Sequence, residues 1–197
     1  MSYAKSTKHN QPKSDSDGKI FGVYIKSLLV TNVLLSISEI GKNVKQNLEK
    51  KIVSKTEGRC IAEGFIQPKS VRVLSYSSGI VNSEFIEFHT SYECMICHPV
   101  EGMLIECDTK TITKAGIHAE VITDGGIVPV TVFVARDHNH TSQHFNSIKE
   151  NTKIAVKVIG IRYELNDPYI CVIGKLADNR NESGREKMKP RLTVFEE

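Results

Sequence analysis

KIAVKVIGIRYELNDPYICVIGKL, residues 153 to 176, is two β-patterned runs joined by a polar turn at Asn166-Asp167-Pro168. Ile154, Val156 and Val158 alternate with Ala155, Lys157 and Ile159; Tyr169, Cys171 and Ile173 alternate with Ile170 and Val172. A two-residue period on β-branched and aromatic residues is the requirement of a strand pair, whose side chains point to opposite faces in turn. The stretch predicts a hairpin, and its position predicts that it closes a small antiparallel barrel beginning near Pro99.

Three more strand patterns lie just before it: Met103 to Thr113, Gly116 to Ile122 and Val128 to Ala135, with glycine-containing turns. Five short strands in about 80 residues suit a closed barrel of the OB type. Between the third and fourth, Arg136 to Asn151 reads as a long polar loop, a common place for function in a barrel.

Further upstream, Ile20 to Ser36 is an apolar, β-rich run. Ser36 and Glu39 then form an S-x-x-E capping box, and Ile40, Val44, Leu48 and Ile52 recur every four residues. That spacing predicts an amphipathic helix of about four turns ending before Gly58. Strands follow over Arg59 to Ile66, stopped by Pro68, and Val71 to Tyr76, stopped by Ser77-Ser78-Gly79. The longest, Phe85 to Ile96, places Ile86, Phe88, Tyr92, Cys94 and Ile96 on one face and Glu87, His89, Ser91 and Glu93 on the other.

The predicted fold class is therefore α+β followed by all-β. One helix on a small antiparallel sheet occupies residues 19–98, and a five-stranded barrel occupies 99–177. The polar tails 1–18 and 178–197 read as disordered, the second ending in a short apolar run, Leu192 to Phe195, suited to docking on a surface.

Composition is that of a globular protein: 40% hydrophobic, 25% charged, with a formal net charge of +3. Mild basicity permits an anionic partner without requiring one. The N-terminus lacks the apolar core of a signal peptide, and no run reaches the roughly 20 apolar residues of a membrane span. The expectation is an intracellular chain with no membrane contact, whose five cysteines act as small buried hydrophobes.

Two strings invite a metal or haem. Cys94-Met-Ile-Cys97-His98 matches C-x-x-C-H, the pattern of covalent haem attachment. Strand parity argues against it, because Cys94 continues the buried face and Cys97 falls on the other side. A zinc site would need a second ligand pair, and neither His89 nor Cys107 stands at suitable spacing. His138, His140 and His144 alternate in the polar loop with no fixed carboxylate or cysteine beside them, so they read as a solvated loop. Nothing pairs Glu120 with Asp137 for acid–base work. There is no P-loop, nucleophile elbow or H-E-x-x-H. No cofactor, no metal and no catalytic residue is expected.

The barrel surface makes a better case. OB barrels hold single strands in a basic groove with aromatic platforms. Lys110, Lys114 and His118 fall on or beside the first two strands, Arg136 opens the long loop, and Arg162, Tyr163 and Tyr169 flank the last turn. These seven are the predicted RNA-binding residues.

EGRCIAEGFI, SGIVNSEFIEFHTSYECMICHPVEGMLIECDTKTITKAGIHAEV and VKVIGIRYELNDPYICVIGKL, in that order, resemble the stalk subunit of multisubunit DNA-directed RNA polymerases, the family of the seventh subunit of eukaryotic RNA polymerase II and its archaeal counterpart. The resemblance covers about Ile20 to Leu176. It implies a tip domain, a proline-x-x-glycine junction (here Pro99 and Gly102) and an OB barrel. It also implies a non-catalytic subunit that docks on the polymerase core, has a smaller helical partner and meets nascent RNA. Gly64, Phe65, Ile66 and the Gly79 turn would contact the core. His98 where the family commonly has arginine, the extra N-terminal tail and the Lys/Ile/Asn-rich wording suggest a divergent copy from a large DNA virus, in virion and host cytoplasm; a cellular copy would be nuclear. The rival readings are a free-standing single-stranded-RNA-binding OB protein of translation or RNA decay, and a metalloenzyme built on the histidine loop.

Overall fold

The computed structural model describes residues 22–123, 125–139 and 143–177. Both polar tails, His140 and the side chain of His144 lie outside the described residues.

Strand β6 (Phe85–Cys97) is the axis of the first sheet. Strand β1 (Tyr24–Ser36) runs antiparallel along all of it, from Tyr24 opposite Cys97 to Ser36 opposite Phe85. The other edge of β6 is shared by β3 (Gly64–Ile66), β4 (Arg72–Tyr76) and β5 (Ile80–Asn82), and β2 (Cys60–Ile61) pairs with β3. Helix α1 (Val44–Thr56) covers one face, burying Leu48 and Ile52 against Val33, Leu35, Phe88, Tyr92, Cys94 and Ile96. The alternation expected along β6 holds, and paired residues of β1 share its faces.

Three local expectations are corrected. The capping pair does not start the helix: the Ser36 N–H donates to Glu39 Oε2 at 2.9 Å, but this closes only a 3-10 turn, Ile37–Glu39. Ile40 is extended (ψ 115°), Gly41 follows, and the helix begins at Val44. The run Arg59 to Ile66 is not one strand but the β2–β3 hairpin. A short strand, β5, fills the stretch after Gly79 that carried no strand signal.

The barrel is built from β7 (Leu104–Ile112), β8 (Gly116–Thr123), β9 (Ile127–Ala135), β10 (Lys153–Arg162) and β11 (Ile170–Leu176). It closes in the order β10-β11-β9-β8-β7. It is not wholly antiparallel, because β11 pairs with β9 in parallel, Ile170 opposite Val130 and Gly174 opposite Val134. The long loop after β9 returns the chain to β10 at the far mouth. β10 descends, so β11 must rise beside β9 in the same direction. Ile105, Ile117, Val130, Val134, Val156 and Ile170 are fully buried inside.

The long loop is less solvated than its composition suggests. Phe145, on a 3-10 turn (Gln143–Ser147), is buried in the barrel core. Asn139 is also buried, its Nδ2 donating to the Ala135 carbonyl at 2.8 Å and its Oδ1 accepting from the Leu176 N–H at 3.0 Å. The amide thereby satisfies two backbone groups at the ends of β9 and β11, which is what permits its burial.

Sheet and barrel share a core. Cys60, Phe65 and Cys97 lie in the barrel's cluster rather than under α1. That is the side to which strand parity assigns Cys97. The β10–β11 turn reaches over the sheet: the Cys60 N–H donates to the Asp167 carbonyl and the Asn166 N–H to the Cys60 carbonyl, each at 2.8 Å. At the junction Gly102 adopts φ +85°, a left-handed conformation that favours glycine, and its N–H donates to the Val158 carbonyl at 2.9 Å.

Candidate nucleic-acid interface

The seven predicted RNA-binding residues fall into two groups at opposite mouths of the barrel. Strand register pairs Gly116 with Ala135 and Ile112 with Ile117, so Lys114 and Arg136 share the far mouth, with Lys110 and His118 on the adjoining wall. The turn carrying Arg162, Tyr163 and Tyr169 is at the mouth against the sheet.

In the first group, the Arg136 Nε donates to the Lys114 carbonyl at 2.9 Å, and the guanidinium lies 5.1 Å from the Phe145 ring centroid. Arg136 therefore ties the β7–β8 turn to the barrel plug and presents its charge at a fixed place. Lys114 is exposed beside it. Lys110 is not a free cation, since its Nζ is 3.7 Å from Glu120 Oε2. The His118 ring sits 4.7 Å from that of Phe133, tilted by 45°.

The second group is largely structural. The Tyr163 hydroxyl donates to the Ala62 carbonyl at 3.0 Å, and its ring meets His98 edge-on at 6.4 Å. Burial raises its pKa. Arg162 faces Glu164 at 3.5 Å, an exposed pair of little energetic weight. Tyr169 is exposed at the start of β11.

The residues expected to touch a polymerase core are also redistributed. Phe65 and Ile66 are buried at 2% and 0% exposure, and Gly64 (φ +133°) packs its Cα against the Cys97 carbonyl, leaving no room for a side chain. These three hold the sheet to the barrel and to α1 and offer no side chain to a partner. The Gly79 turn is exposed, and around it the end of the sheet remote from the barrel shows Leu34, Ile37, Ile80, Val81 and Phe85 to solvent.

Phe133 is the residue that sequence reading missed. Its signal was available: in IVPVTVFVA the valines at 130, 132 and 134 mark the inward phase, which leaves Thr131 and Phe133 outward.

Four of the five cysteines are buried as expected and are poor ligands and nucleophiles, whereas Cys171, on the outer face of β11, is exposed. Burial pushes the Cys94 thiol up to about 11 and Cys97 and Cys107 up to about 12, so each is protonated at neutral pH. Among the described residues no three His, Cys, Asp or Glu side chains gather as a metal would need. No described helix is long and apolar enough to cross a membrane.

No protein-family model matches the chain. Curated relatives do. A putative DNA-directed RNA polymerase subunit of Acanthamoeba polyphaga mimivirus is 25% identical, covering 79% of this chain and 83% of the relative. DNA-directed RNA polymerase II subunit RPB7 of Glycine max and subunit 7 of Arabidopsis thaliana are each 22% identical, covering 80% of this chain and 94% of theirs. The uncovered fifth is shorter than either the sheet unit or the barrel, so each alignment crosses both. With this order of sheet, junction and barrel, and with viral and plant relatives matched over most of their length, the chain is similar across both units to RNA polymerase subunits of the RPB7 type, at an identity that marks it as divergent from them.

Proposed function

We propose that this chain is the non-catalytic stalk subunit of a DNA-dependent RNA polymerase, carried by a virus. It docks on the polymerase core through the sheet unit and meets nascent RNA on its barrel. Nucleotidyl transfer belongs to other subunits, and a small helical partner completes the stalk. The division into a tip domain (19–98) and an OB domain (99–177) is part of the proposal. Its location would be virion and host cytoplasm.

The observation that carries the reading is topological. A one-helix sheet leads through Pro99–Gly102 into a closed barrel whose five strands neighbour in the order first-second-third-fifth-fourth, with one parallel pair between third and fifth. That arrangement is the support for an OB barrel, whose second and third strands form the customary ligand face. Here those are β8 and β9, bearing His118 and Phe133. Core docking is assigned to the apolar end around Gly79, where Ile80 and Val81 are 56% and 70% exposed. On RNA, Lys114 and Arg136 would neutralise phosphates.

Affinity purification of the tagged chain from its native or infected cells tests this. Recovery of the large polymerase subunits is expected. Their absence would overturn the assignment, and RNA binding without them would move the chain to a free-standing RNA-binding protein.

A further inference from the structure

We propose that the depression across β8, β9 and β11 is a pocket for one nucleobase and that it selects guanine. The inference rests on the RNA reading above and adds a base preference to it.

Strand register builds the pocket from two rows. One runs His118, Phe133, Ile173 and the other Glu120, Thr131, Cys171, with Lys110 reaching over from β7. Together they line an open depression of about 270 Å³. The first row is a stacking platform, a tilted His118–Phe133 pair flanked by the half-exposed Ile173. Any base has a π-face and gains from such a platform, so stacking alone is indifferent to sequence.

The second row is not indifferent. It sets the Glu120 carboxylate, an acceptor only, 3.7 Å from the Lys110 ammonium, a donor only. Single-stranded RNA is read by hydrogen bonds to the Watson–Crick edges of its unstacked bases. On guanine that edge carries two adjacent donors, N1–H and the N2 amino group, next to one acceptor, O6. One carboxylate takes both donors while the ammonium meets O6. Uracil offers a single donor. Cytosine and adenine set a ring acceptor beside their amino group, and that acceptor would face the carboxylate. A wrong base also takes water from the Lys110 ammonium and the Glu120 carboxylate without replacing the hydrogen bonds that water gives them, which is how a polar site discriminates. The pair is loose and its side chains are 40% and 36% exposed, so opening it for a base sacrifices little.

Fluorescence anisotropy of the full chain with labelled oligouridine, and with the same oligomer carrying guanines, tests the pocket. The guanine oligomer is expected to bind about tenfold tighter. Glu120→Gln should bring the ratio to about one, while oligouridine binding holds or tightens because Lys110 is released. Phe133→Leu should weaken both oligomers. Equal binding of both by the native chain, or a preference that survives Glu120→Gln, overturns the pocket and leaves the RNA reading standing. Absence of binding to either oligomer at low salt overturns both. Loss of polymerase copurification in Glu120→Gln with RNA binding unaltered would assign the face to protein contact and overturn the pocket.

Discussion

Phe65 separates two accounts of the β2–β3 hairpin, and replacing it with alanine tests them. If the residue served a polymerase partner, Phe65→Ala would weaken the complex and leave the free chain as stable as before. The structure gives it 2% exposure and a place with Cys60 and Cys97 in the barrel's cluster. Removing the ring takes a large apolar area out of that core and leaves a cavity walled by strands of two sheets, which restrict collapse. Phe→Ala in such sites costs about 3–5 kcal/mol. With a urea m-value of about 2 kcal/mol per molar for a chain of this size, the unfolding midpoint should fall by roughly 1.5–2.5 M. Phe85→Ala is the control, because Phe85 is 45% exposed at the remote end of the sheet, and its loss should change stability by less than about 1 kcal/mol. The assay is urea denaturation of the isolated chain followed by far-UV circular dichroism. An unchanged midpoint for Phe65→Ala would refute the shared core of sheet and barrel.

Thr90 is fully buried and its hydroxyl has no partner among the described residues, so Thr90→Val should raise the urea midpoint by an amount equivalent to about 1 kcal/mol, and a lowered midpoint would contradict the burial. Gly102→Ala places a Cβ at φ +85° and should lose about 1–2 kcal/mol, read as a fall in Tm; an unaltered Tm would mean the junction does not need its left-handed turn. Alkaline pH should destabilise the chain. Burial raises the Cys60 and Cys94 thiols to about 11 and Cys97 and Cys107 to about 12, from an ordinary value of 9.0. The unfolded chain therefore releases these protons first, and stability present below about pH 9 is lost as pH rises toward the folded values. A urea midpoint that stays flat from about pH 8 to about pH 10 would contradict the burial of these thiols.

Much of the fold is legible without coordinates because strand parity is a local property. The alternation in Phe85 to Cys97 put Cys94 with the buried set and Cys97 on the opposite side, and both assignments hold. The same rule read the barrel strands, since inward valines recur every second residue along β9. Carried one step further along β9, it would have set Phe133 outward, where its ring meets the exposed His118.

What periodicity alone determined was therefore which residues alternate, where turns interrupt them, and that a helix-bearing unit precedes a small barrel. What the tertiary structure decided was direction and partnership. The parallel pairing of β9 with β11 follows from where a long loop lands, and no local pattern encodes it. Ser36 and Glu39 satisfy their capping requirement in a single 3-10 turn, and only the chain's departure at Ile40–Gly41 shows that the helix starts later. Phe65 and Tyr163 read as surface residues because aromatic character does not reveal what lies opposite. They are claimed by contacts with residues distant in sequence, through a core shared by two sheets and a hydrogen bond to Ala62. Lys110 reads as a phosphate-binding cation until the neighbouring strand sets Glu120 beside it, and that cross-strand pairing partly offsets its positive charge.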